Sequence, residues 1–142
     1  MKLSDICQKL ELKAVSQMFD NEITGVYISD MVSDVIANAK AGNLLVTIQV
    51  HNNVIAAANL VDISGILVTQ GKQPTEDVVK MAEKASIPIL STELSRWQVL
   101  TKLYAGYQQP ERFRNIVVDT GHQDSDFLRE QVLRWFDEHL LG

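Results

Sequence analysis

Cysteine, aromatic residues and long apolar runs are all scarce in this chain of 142 residues, and each scarcity excludes something. Its one cysteine, Cys7, permits neither an internal disulfide nor a zinc site of several thiolates, and a reducing cytoplasm is the expected location. No segment approaches the roughly 18 apolar residues needed to cross a bilayer, and the opening Met1-Lys2-Leu3-Ser4-Asp5 has no apolar signal core, so neither a membrane nor export is expected. Basic residues are outnumbered, 13 against 18 acidic, for a net charge of −5. That balance disfavours an electrostatic grip on nucleic acid or on an anionic membrane. Aromatics make up only 6% of the chain, yet apolar residues reach 46%, which is the composition of a folded domain with one sizeable core.

The known phosphate-handling motifs are missing too. There is no G-x-x-x-x-G-K-[ST] loop, no G-x-G-x-x-G after a strand and no kinase catalytic-loop pattern. Gly71-Lys72 lacks the earlier glycine and the hydroxyl residue that would cradle phosphate and magnesium. No G-x-S-x-G nucleophile elbow exists, since Ser64-Gly65 lacks the preceding glycine. No His, Cys or acidic cluster has ligand spacing, so no metal and no cofactor is expected.

What is present is a rhythm. Leu3, Ile6, Cys7 and Leu10 share a helical face, Leu12 to Ser16 reads as a strand, and Phe19 to Glu22 as a turn. Strands then begin near positions 26, 44, 66 and 88. Each is followed by an amphipathic helical stretch: Met31 to Ala39, Val54 to Val61, Thr75 to Ala85, and Leu94 to Tyr104, the last introduced by Ser91-Thr92-Glu93. Apolar strands alternating with helices of this length predict an α/β fold, a parallel sheet with helices on its faces. A seam follows Tyr107. All eight lysines precede it and four of the five arginines follow it, with Gln108-Gln109-Pro110-Glu111 as a junction. The chain therefore divides into a domain over 1–107 and an extension over 108–142, either another βα layer or an appendage of different origin, which carries a strand at Asn115 to Asp119 and an amphipathic helix from Asp126 to Leu141.

In a parallel sheet the strand C-termini share one edge, where helix N-termini offer N–H groups and a positive dipole. That edge collects Ser29, Asp30, Gln49, His51, Asn52, Thr69, Ser91 and Thr92. These groups suit a small polar or phosphorylated ligand or a protein partner and offer few acids, bases or nucleophiles, although helix caps need the same residue types. The alternative is an enzyme, either a phosphotransferase using His51 or a hydrolase using His122. Gly121-His122 ahead of the last helix resembles the end of some α/β-hydrolases. Cys7 reads as a small buried apolar residue.

Residues 1 to about 107 resemble the DRTGG domain family in its stand-alone, serine-kinase-like form. The stretches carrying the resemblance are Leu12-Lys13-Ala14-Val15-Ser16, Glu22 to Val35, Gly42 to Gln49 and Ile87 to Thr92. At the motif that names the family the chain reads Asp20-Asn21-Glu22-Ile23-Thr24-Gly25, with Val26 where a second glycine would stand. The resemblance implies a parallel α/β domain similar to the non-catalytic N-terminal part of HPr kinase/phosphorylase, acting in regulation or scaffolding, and forming homodimers. Ala56, Ala57 and Ala58 offer a small-residue surface for such a contact, or for close packing of a helix on the sheet.

Overall fold

A computed structural model describes residues 1–107 and 117–119. The order is α1 (Leu3–Leu10), β1 (Lys13–Ala14), β2 (Gly25–Ser29), α2 (Val32–Asn38), β3 (Asn43–Thr47), α3 (Asn52–Leu60), β4 (Gly65–Val68), α4 (Glu76–Lys84), β5 (Ile89–Ser91), α5 (Arg96–Tyr107) and β6 (Val117–Asp119). The six strands form one sheet in the order β1-β5-β4-β3-β2-β6. Five are parallel, and the two-residue β1 runs antiparallel to β5 at the edge.

Strand alternation sorts the side chains into two cores. Val26, Ile28, Leu44, Val46, Leu67 and Leu90 pack on α1 and α5, whereas Tyr27, Leu45, Ile66, Val68 and Ile89 pack on α2, α3 and α4. Burial on both faces explains why β3 and β4 are nearly continuous apolar runs rather than alternating ones. The chain steps outward from β2 to β5 along one face. It then returns through α5 on the other face and sets β6 beside β2, with Asp119 in register with Ser29. The part of the extension at Val117–Asp119 therefore continues the sheet of the main domain. Residues Asn115 and Ile116, His122 and the expected helix from Asp126 to Leu141 lie outside the described residues.

Helix starts differ from the sequence reading at three helices, α5, α2 and α3. The residues Ser91-Thr92-Glu93 do not open α5. Ser91 ends β5 and Thr92 spends its hydroxyl on the Leu94 amide, so the helix begins at Arg96, behind a capping box in which Ser95 and Gln98 bond each other's backbone amides at 2.9 and 3.2 Å. Ser29 and Asp30 do not cap α2 by side chain, and His51 stands at the cap position of α3 without a side-chain bond. The expected cap at Thr75 is formed, with the Val78 amide donating to its hydroxyl at 3.5 Å. Gly42 has φ +84°, and a Cβ there would meet the Thr24 hydroxyl at 2.4 Å. The turn into β3 thus requires glycine both conformationally and sterically.

Of the alanines offered for a subunit contact, Ala57 and Ala58 are 2% and 0% exposed in the α3 core. Their small size serves close packing of α3 on the sheet, and only Ala56 faces outward. Among the described residues, no helix is long and apolar enough to cross a membrane.

Candidate functional site

The parallel strands end together, and a repeated device finishes three of them. Ser29 accepts the Met31 amide at 3.1 Å, Thr47 the Gln49 amide at 3.1 Å, and Thr92 the Leu94 amide at 3.2 Å. In each case a hydroxyl at the strand end takes the N–H two residues on and turns the backbone out of the sheet. The capping demand foreseen at this edge is therefore met locally, within turns.

Thr69 occupies the equivalent place after β4 and breaks the pattern. The Gly71 amide, which it would accept, goes instead to the Thr92 carbonyl at 2.9 Å, and the Gln70 amide goes to the Leu94 carbonyl at 2.9 Å. Thr69 is 0% exposed and its Oγ1 has no partner among the described residues. A buried unbonded hydroxyl costs about 1–3 kcal/mol, so Thr69→Val is expected to raise stability by about 1 kcal/mol in urea unfolding. A loss of similar size would show that the hydroxyl is bonded in solution.

Two narrow concavities lie at this edge on the α2–α4 side of the sheet. The first is a closed crevice between α2 and α3 with no room for a water molecule, with Ser29, Asp30, Thr47 and Gln49 at the strand ends and Val35 and Val54 among its apolar walls. The second lies between α3 and α4 and has room for about one water molecule (about 10 Å³), lined by His51 and Pro74 and by Val68 and Ile89 from the sheet. Gln49 and Val54 line both. The start of α3 thus stands between them, contributing unpaired backbone N–H character and the positive end of its dipole.

The eight residues picked from the sequence do not form one cluster. Ser29, Asp30 and Gln49 meet in the first concavity and His51 joins Gln49 in the second. Asn52 is exposed as the first residue of α3, outside both. Ser91 is buried and accepts from the Gln73 side chain at 3.3 Å. Thr69 and Thr92 follow Val68 and Ser91 by one residue, which by alternation puts them on the α5 side. Period-two alternation was the signal that separates them, and it also points to Thr47, which the sequence reading missed. The apolar walls from α2 and α3 carried no signal of their own, because they read only as core.

Asp30 is the most heavily bonded of these groups. Its Oδ1 accepts the Ile48 amide at 3.1 Å and the Thr47 hydroxyl at 3.4 Å, and its Oδ2 is ion-paired with Arg96 at the start of α5. Side-chain exposures of 13% for Asp30 and 24% for Arg96 make this an interior pair with reduced solvent screening. Arg96 was likewise missed, since 66 residues separate it from Asp30. Cys7 is half-buried, and burial, followed by the charge of Asp20, pushes its thiol up. A raised thiol is a poor nucleophile. Among the described residues, no group of three or more His, Cys, Asp or Glu side chains is placed to hold a metal.

A sequential run of parallel strands and a return crossover on the opposite face define an α/β domain whose sheet is covered by helices on both faces. The chain belongs to the DRTGG domain family, whose model matches residues 5–105. Its fold is similar to part of a solved structure of the CBS and DRTGG domains of the regulatory region of Clostridium perfringens pyrophosphatase, complexed with the activator diadenosine tetraphosphate. The TM-score is 0.56 at 15% sequence identity, over 71% of this chain and 45% of that one. This chain thus spans less than half of that regulatory region. No curated protein matches the chain in sequence.

Proposed function

We propose that this chain is a non-catalytic regulatory domain that binds a small ligand, with an apolar body and a polar or anionic end, in the concavities flanking the start of α3. The observation that carries the reading is the gathering of Ser29, Asp30 and Gln49 at the strand ends beside the start of α3, where the helix dipole favours a negative group; the two crevices that share Gln49 are closed in the ligand-free chain and would open to admit it. The DRTGG family is one of regulatory domains, and the neighbouring pyrophosphatase region is bound to a nucleotide activator. Nucleotides are accordingly the first class to test. Absence of catalysis is part of the proposal: His51 is exposed at the cap of α3, and no hydroxyl or thiol nucleophile is bonded to it among the described residues. Homodimer formation and a cytoplasmic location rest on the family resemblance and the cysteine content.

Thermal-shift titration with ATP, AMP and diadenosine tetraphosphate tests the binding reading. A ligand at 100 times its Kd stabilises by about 2.7 kcal/mol, which for a chain of this size is a rise of several degrees. Gln49→Ala is expected to lose most of that shift while melting normally without ligand. No shift with any of the three, or a shift untouched by Gln49→Ala, overturns the assignment of this site.

A further inference from the structure

The concavity and α5 lie on opposite faces of the sheet, yet one carboxylate touches both. Asp30 sits in the turn that leaves β2 at the concavity. Its two oxygens are divided, Oδ1 holding the end of β3 through the Ile48 amide and Oδ2 holding Arg96, the first residue of α5. We infer that the Asp30–Arg96 pair couples the concavity to α5 across the sheet, so that whatever seats against the β2–α2 turn alters the first turn of α5. This rests on the reading of the concavity as the ligand site.

Three features make the pair a connection between the faces rather than a surface decoration. Both side chains are mostly buried, so loss of one leaves an interior charge uncompensated. Asp30 is flanked by Ser29, whose hydroxyl holds the turn by accepting the Met31 amide. Displacement of that turn therefore moves the carboxylate. At the other end, α5 begins immediately at Arg96 and its first turn depends on two measurable bonds, from the Val99 amide to the Ser95 carbonyl and from the Gln98 amide to the Ser95 hydroxyl. From α5 the chain continues to β6, which pairs with β2 at Ser29. An input at the concavity thus has α5 and the segment beyond it as its output, which is what a regulatory domain requires of its fold.

Hydrogen exchange on the ligand-free chain tests this. Ser29→Ala loosens the turn without touching Arg96, and is expected to change exchange at the Gln98 and Val99 amides on the order of two- to tenfold. In an Arg96→Met background the same substitution is expected to leave those amides unmoved, and Arg96→Lys to restore part of the response. A purely local role for the pair predicts instead that Ser29→Ala affects only Met31 and its neighbours. That result, or an equal α5 response with and without Arg96, overturns the coupling. Because no ligand is used, failure of nucleotide binding would remove the proposed input while leaving the exchange result intact.

Discussion

Leu67→Ala is expected to destabilise the chain by about 3–5 kcal/mol, the range for a fully buried leucine whose surroundings cannot collapse. Leu67 is 0% exposed and lies in β4, between β3 and β5. Its side chain packs in the core under α1 and α5. Backbone hydrogen bonding on both sides of β4 prevents the strand from moving inward to fill the space. Against a total stability of about 5–15 kcal/mol, such a loss would show as a large fall in the urea midpoint with an unchanged slope. Leu60→Ala is the control. Leu60 is 68% exposed at the end of α3, and its replacement should stay within about 0.5 kcal/mol. Equal effects at the two positions would contradict the layer assignment.

Asp30→Ala is the second large effect, at about 2–4 kcal/mol. The substitution strands the Arg96 guanidinium in a site only partly open to water and deprives the Ile48 amide of its acceptor. Asp30→Asn keeps an acceptor for Ile48 but no charge for Arg96, so an intermediate loss is expected. The double variant Asp30→Ala Arg96→Met should be more stable than the sum of its parts, because the second change removes the charge that the first left unpaired. Additive losses in urea unfolding would mean that the two groups do not interact in solution.

Much of this architecture was open to reading before any coordinates. The spacing of Leu3, Ile6 and Leu10, the apolar runs Leu44 to Val50 and Ile66 to Val68, of which the first overran β3 by three residues, and Thr75 ahead of α4 each follow a local rule, helix period, two-sided burial or cap chemistry. The strand-end edge was equally legible, because parallel order puts all strand C-termini together. Its chemistry was not. Ser29, Thr47 and Thr92 spend their hydroxyls on amides two residues away, while Thr69 loses that amide to a carbonyl on the neighbouring loop. Residue type is identical in outline at all four places, and only the hydrogen bonds of the loops facing them tell them apart.

Period, composition and local capping, which act over a few residues, determined an α/β domain with a polar rim at its strand ends; membership of the DRTGG family came from the likeness of whole stretches, matched over residues 5–105. The tertiary structure decided which rim residues meet. The stacking of α2 and α3 on the sheet brings Ser29 and Asp30 to Gln49, and the crossover through α5 brings Arg96 to Asp30. Contacts of that kind depend on how distant segments are stacked, on which face and in which register, and no local rule encodes them.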